Sequence, residues 1–286
     1  MPETDAEMPA ANEAPTEVAD PTSAATKDDL DGKVQEDAAS ATAAAEANAN
    51  LPPAPAPPRY AVRPLESVKI DMALVRIKPG ENDTYGVASI TWEVKDGRYG
   101  MQIEAGVDLV FTSINLYQLS SEGRLDSFGI APEKSTETRR TRSSTATHFN
   151  RDDKTISFSA SNKTVAMNEG AQDRATFVMQ LASIGYADET QIFPGQKIEL
   201  QVAEDKDATL FYFKVIAKED IDTKLGKISA WHLMRAPRPG SYNSKLDIWL
   251  APAFGWYPVQ IRNTEKNGTV TEQTAIKMTQ KDKIGS

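Results

Sequence analysis

The sequence predicts a mainly β fold: an antiparallel meander rolled into a β-roll or partly open barrel, with one covering helix and a disordered tail in front. Three observations carry this expectation. First, Lys227 to Gln280 reads as four strands in succession, Lys227–Arg235, Lys245–Ala251, Tyr257–Thr264 and Thr269–Thr279, punctuated by Pro237, Pro239-Gly240, Pro252 and Asn267-Gly268. Three of the four tryptophans, Trp231, Trp249 and Trp256, fall in this stretch, as expected of residues that pack well on a pleated, half-buried surface. Second, only Ala171–Tyr186 has helical periodicity, with Phe177, Val178, Leu181, Ile184 and Gly185 on one stripe. Third, the remaining apolar segments are short, alternate with polar residues and end at turn formers, which is the signature of antiparallel strands.

The chain divides at its prolines. Met1–Asn50 holds fifteen alanines, twelve Asp and Glu, two Lys and no aromatic residue. So little apolar surface cannot offset the entropy of ordering the chain, and disorder is expected, with a transient helix around Asp37–Ala49. Leu51–Pro58 (LPPAPAPP) then reads as a semi-rigid polyproline spacer. Residues 1–58 are therefore assigned as tail and linker, and 59–286 as one β-rich domain. Beyond Asn50, 30 Lys and Arg face 29 Asp and Glu, so the formal charge of −9 resides in the tail. A balanced domain gives no basic field for nucleic acid. The chain has no cysteine, which excludes thiolate chemistry and disulfides. No apolar run approaches the ~20 residues of a membrane helix, and the acidic opening is not a signal peptide.

In chain order, Val68–Ile77 is a half-buried strand with Ile70, Met72 and Leu74 on one face. Tyr85–Val94 pairs through the Asp96-Gly97 turn with Arg98–Ala105. Val110–Leu119 is expected to close at Ser121-Glu122-Gly123, with Asp126–Ile130 after it. Lys134–Ser144 carries Arg139, Arg140 and Arg142; outward charges on a strand edge are the simpler reading, an anion or lipid-headgroup site the sharper one. Short strands follow at His148–Asn150, Thr155–Ser159 and Lys163–Met167. Asp173, near the helix start, is suited to accept backbone N–H groups as a cap. Gln196–Ala203 and Thr209–Ala217 are the strands that lead into the final meander.

Chemistry is sparse. His148 and His232 each stand alone, so no zinc set forms, and no metal or cofactor is expected. His232, between Trp231 and Leu233, reads as a strand histidine bonded to backbone. There is no Gly-x-Ser-x-Gly elbow and no Gly-rich phosphate loop. Asp152-Asp153 and Glu219-Asp220 fall in apparent turns. Carboxylates distant in sequence can still assemble a hydrolase of envelope polymers, which leaves that as a third function class. The candidate ligand-binding residues are Trp231, Arg235, Arg238, Trp249, Trp256 and Tyr257. Guanidinium on indole is a plausible contact for Arg235 and Arg238, with Asp247 as an ion-pair partner; a structural lock on the loop after Arg235 is the simpler alternative. Phe211, Tyr212, Phe213 and Phe254 join these aromatics either as cavity lining or as core.

Gln172-Asp173-Arg174 with Gln180-Leu181-Ala182, then Trp231–Arg235, Leu246–Ala251 (LDIWLA), Tyr257–Arg262 (YPVQIR) and Asn267-Gly268, in that order, resemble the bacterial envelope family catalogued as domain of unknown function 3108. The resemblance spans roughly Tyr60–Met278. It implies a β-rich domain exported to the periplasm, often behind an N-terminal anchor and a proline-rich linker, and it supplies no catalytic residues. No apolar anchor precedes the linker here, so membrane tethering is an expectation about sequence outside these residues. The resulting expectation is a non-enzymatic periplasmic protein that binds a lipid-like or lipoprotein ligand or an envelope partner, with a scaffold module as the alternative.

Overall fold

The computed structural model describes residues 59–109, 112–237 and 244–280. The expectations for the tail and linker and for Arg238 lie outside the described residues. Fifteen strands follow in chain order: β1 (Val68–Ile77), β2 (Thr84–Lys95), β3 (Arg98–Leu109), β4 (Thr112–Asp126), β5 (Gly129–Arg139), β6 (Arg142–Asn150), β7 (Thr155–Phe158), β8 (Thr164–Ala166), β9 (Gln172–Asp173), β10 (Lys197–Ala203), β11 (Ala208–Thr223), β12 (Gly226–Arg235), β13 (Lys245–Leu250), β14 (Pro258–Thr264) and β15 (Val270–Gln280). Among the described residues one α-helix, α1 (Phe177–Ala187), lies between β9 and β10.

All fifteen strands belong to one sheet, ordered β8-β7-β6-β5-β4-β3-β2-β1-β15-β14-β13-β12-β11-β10-β9. Two meanders, each pairing with its sequence neighbours, are stitched together where β1 pairs β15 from Val68↔Gln280 to Ile77↔Val270. Every pairing is antiparallel except the short parallel contact of β9 with β10. The sheet is not closed into a barrel, but it is strongly curled. Laid flat, fifteen strands would put the edges ~67 Å apart at ~4.8 Å per strand. Yet the edge strands β8 and β9 are joined only by residues 167–171, a reach of at most ~20 Å.

Bulges supply the bending, because an extra residue kinks the strand that carries it. Register shifts occur at Asp71/Met72, Ala105/Gly106, Glu122/Gly123, Glu137/Arg139, Val215/Ala217 and Trp249/Leu250. Gly106 shows why one of these needs glycine: a Cβ there would sit 2.2 Å from the Ile114 carbonyl oxygen.

The concave face holds the core. Val68, Ile70 and Met72 of β1, Ile90 and Trp92 of β2, Phe211, Phe213 and Val215 of β11, and Ile248 of β13 are buried on it. Helix α1 fills one end of the curl and is buried from Phe177 to Gly185. Phe177 stacks on Phe213 at 5.6 Å between ring centroids and meets Phe211 edge-on. A second small core, Phe149, Ile156, Phe158, Ala171 and Ala203, joins β6 and β7 to β10 where the edges approach.

The expected helix at Ala171–Tyr186 starts later than its sequence pattern implied. Gln172 and Asp173 pair with Val202 and Ala203 as strand β9, and helix geometry begins only at Phe177. Backbone pairing at the open sheet edge outweighs propensity there. The Ser121-Glu122-Gly123 turn is likewise replaced by continuous strand, and the real turn lies between Asp126 and Gly129. Lys134–Ser144 lies within the β5–β6 hairpin, inside the sheet rather than on its edge.

Candidate functional site

The predicted site residues are spread over three environments. On β13, Leu246 faces Arg235 of β12 and Trp249 faces His232. Residues three apart on a strand point to opposite faces, so Arg235 and Trp249 cannot meet in one site. Arg235 lies on the concave side and stacks its guanidinium over Phe211, 4.2 Å from the ring centroid; its aromatic partner is a phenyl ring, not an indole. Trp231 donates its indole N–H to Glu189 at 3.0 Å, in the one-turn helix after α1. Trp256, with φ at +66°, and Tyr257 sit in the β13–β14 connection. There Trp256 covers Gly185 of α1 so closely that a Cβ would lie 2.2 Å from the indole. Tyr257 donates its hydroxyl to the Glu66 carbonyl at 2.7 Å, and burial pushes its phenol up.

Trp249 belongs to a charged cluster on the convex face that sequence reasoning missed. Its N–H donates to Glu219 of β11 at 2.6 Å. Its ring stacks on the His232 imidazole at 4.5 Å, and Arg262 of β14 lies over it at 5.2 Å. His232 bonds Asp247 through Nε2 at 2.8 Å and faces Glu219 through Nδ1 at 3.0 Å. His232 is therefore bonded to carboxylates and not to backbone as its strand position suggested. Lys245 adds 2.9 Å contact to Asp247, and Arg262 pairs with Glu272 at 2.6 Å. Burial pushes the Asp247 carboxyl up, but the His232 and Lys245 contacts more than offset it, and the group sits below its ordinary value. Asp247 does form an ion pair, with Lys245. Trp249 and Asp247 are buried although they lie on the convex side, while Glu219, Lys245 and Arg262 reach solvent; β11, four places away from β15 in the sheet, makes contact with β15, so the long β11–β12 hairpin folds over these strands. Both ring nitrogens of His232 thus face carboxylates.

A second polar network anchors α1. Asp173 accepts the backbone N–H groups of Ala175 and Thr176 at 2.8 and 2.9 Å; the helix N-cap is Thr176, so Asp173 fixes the turn before the helix and is not the cap its position suggested. It also accepts Ser121 Oγ at 2.5 Å, and Ser121 meets the Tyr99 hydroxyl at 2.8 Å. Full burial raises the Asp173 carboxyl above its ordinary value, and the hydrogen bonds from Ser121, Thr176 and Ala175 only partly counter that. Gln180 clasps the β4–β5 turn: its carbonyl accepts from Ile130 N at 2.9 Å and its amide donates to Phe128 O at 2.7 Å. Arg174 holds Glu137 at 2.8 Å and Asp205 at 3.2 Å where the sheet edges meet. The Gln-Asp-Arg and Gln-Leu-Ala motifs are thus parts of the device that seats the helix.

Residues 59–66 form a strap over α1. Tyr60 Oη accepts from Glu199 N at 2.9 Å, Arg63 N donates to Ser183 Oγ at 3.2 Å, and Leu65 O accepts the Trp92 indole N–H at 3.2 Å. Helix and strap pack against the buried core of the concave face. The best-formed hollow among the described residues, between Tyr60, Phe128, Gln180, Gln201 and Leu210, has a cavity volume of about 30 Å³, room for a few waters.

No curated protein matches the sequence. Solved structures overlap it loosely. A Vibrio parahaemolyticus domain assigned to outer membrane lipoprotein sorting gives a TM-score of 0.30 at 10% identity, covering 77% of this chain and 88% of that one. A DUF1329 family protein from Desulfovibrio piger gives 0.32 at 11% identity over 77% and 88% of the two chains. A LolA superfamily protein from Nitrosomonas europaea gives 0.26 at 9% identity over 77% and 89%. Scores this low carry no inference about ligand or role. No helix among the described residues is long and apolar enough to cross a membrane. Residues 75–274, from the end of β1 into β15 and including the helix device and the convex-face cluster, match the family described as protein of unknown function (DUF3108), and the chain belongs to it.

Proposed function

We propose that this chain is a non-enzymatic binding module of the bacterial cell envelope, working in the periplasm and engaging an envelope partner across its outer surface. The observation behind this reading is the small size of the best-formed hollow among the described residues. A pocket that encloses a drug-sized ligand takes roughly 300–1,000 Å³, and the best-formed hollow here has about 30 Å³. The envelope setting rests on the family resemblance, and the non-catalytic reading on the engagement of both His232 nitrogens by carboxylates. In-cell photocrosslinking tests it, with the crosslinker placed in turn at exposed Tyr212 on the convex face and at Leu74 on the concave face. Adducts from position 212 and none from 74 are the expected result. Adducts confined to position 74 would overturn the surface reading.

One observation favours a second reading, a lipid-like or lipoprotein ligand on the concave wall away from α1. Asn263 Oδ1, Thr269 Oγ1 and Arg76 Nε are buried without a hydrogen-bond partner. Asn263 and Arg76 share one row across the sheet, through Thr271. A polar ligand group would satisfy them, while Leu74 and Ile261 in the next row are suited to its apolar part. Native mass spectrometry of protein extracted from cells decides this: repeated absence of co-purified lipid removes it.

A further inference from the structure

The geometry points to an anionic bilayer surface as the partner of the β10–β11 hairpin, an inference that rests on the surface reading above and names what the surface meets. Large exposed hydrophobic side chains among the described residues are Ile77, Tyr85, Phe193, Leu210, Tyr212 and Ile276. Three of these six gather on one hairpin. Leu210 (37% exposed) and Tyr212 (52%) share the outer face of β11, and Phe193 (50%) stands on the turn that enters β10. That turn is fixed beside Lys214, because Gly195 N donates to Val215 O and Val215 N donates to Gln196 O, each at 2.9 Å.

Lysines interleave with these side chains. Lys197 faces Lys214 across the ladder, one step from Tyr212 on the same face of β11. Both are exposed, and neither has an ion pair among the described residues. Glu199, opposite Tyr212, is the carboxylate in the strip. Lys218, further along β11, is already taken up by Glu189 at 3.1 Å.

Rings and a leucine amid unpaired lysines suit a membrane interface, where aromatic rings sit at headgroup level and lysines meet anionic headgroups. The strip is too small for a stable protein interface, which takes ≈ 20–30 residues a side. It is large enough as one of two membrane signals, since weak contacts gain when a tether supplies a second one.

The test is co-sedimentation of the full chain with phosphatidylcholine vesicles, with and without phosphatidylglycerol. Expected is binding to the anionic vesicles only, weakened by salt. Lys197→Gln and Lys214→Gln should each lower it by about fivefold. Tyr212→Ser should reduce it, while Tyr85→Ser, at a more exposed tyrosine on β2, leaves it unchanged. These residues are exposed, so the variants keep the fold. Sedimentation with neither vesicle, equal sedimentation with both, or equal loss in Tyr85→Ser would each overturn the inference. A protein adduct from a crosslinker at position 212, with vesicles ignored, overturns it but leaves the envelope-partner reading standing.

Discussion

Asp173 and Asp247 are both carboxylates removed from water, and their environments push them in opposite directions. Asp173 lies beneath the helix, where neutral donors from Ser121, Ala175 and Thr176 surround it; burial wins and its carboxyl is raised. Asp247, 1% exposed on the convex face, meets His232 and Lys245; there the contacts win and its carboxyl is lowered. At Asp173 the hydrogen bonds from uncharged groups do not offset full burial, whereas at Asp247 the bonds from His232 and Lys245 do. The two ends of the molecule are accordingly built on different terms. The helix end is a packed core with an oriented polar anchor, and the convex face is an ion network under a folded-over hairpin.

The largest expected effect removes the platform of the convex face. Trp249 is 4% exposed and touches His232, Glu219 and Arg262. Trp249→Ala should destabilise by about 3–5 kcal/mol in urea denaturation; a variant that melts like the native protein would show that the hairpin does not close over the indole. Asp247→Ala should follow at about 2–4 kcal/mol, because it leaves His232 beside Glu219 alone and Lys245 without its carboxylate. Its second signature is pH dependence. A carboxyl held below its ordinary value contributes stability at neutral pH that fades as pH falls through its folded value. The acid limb of stability against pH should therefore be shallower in Asp247→Asn than in the native chain. At the helix end, Asp173→Ala should cost about 2–3 kcal/mol by leaving buried N–H groups of Ala175 and Thr176 without acceptors. Equal and featureless losses at both sites would dissolve the distinction between them.

The contrast also explains what could be read from the sequence. The four final strands were legible nearly to the residue, Lys227–Arg235 against Gly226–Arg235 and Thr269–Thr279 against Val270–Gln280, because proline and Asn-Gly turns bound strongly alternating runs. Asp173 was legible as an acceptor of nearby backbone N–H groups, because such turns are local, but not as part of the turn ahead of Thr176, which is the N-cap. The Glu219–His232–Asp247 cluster was not, since it spans three strands and exists only once register and a bulge between Val215 and Ala217 are known. The same blindness placed Trp249 and Arg235 together: Arg235 faces Leu246, and the odd offset of three residues on β13 puts Trp249 on the other face of the sheet. Nor does any local pattern announce that β1 pairs with β15 across the whole length of the domain.

The smallest effect is the sharpest discriminator. Asp173→Asn keeps an oxygen for the Ala175 and Thr176 N–H groups and turns an amide toward Ser121, whose hydroxyl oxygen can accept it. Its stability at pH 7 should stay within about 1 kcal/mol of the native chain. A carboxyl raised by folding takes up a proton between its unfolded and folded values, so native stability should decline as pH rises through that window. The amide cannot titrate, and in the variant that decline should vanish while the acid limb that belongs to Asp247 persists. Unfolding free energies of both proteins across the acid range measure the difference directly. If the two curves run parallel, Asp173 is ionised at no cost, and Ser121 with the two backbone N–H groups does for it what His232 and Lys245 do for Asp247.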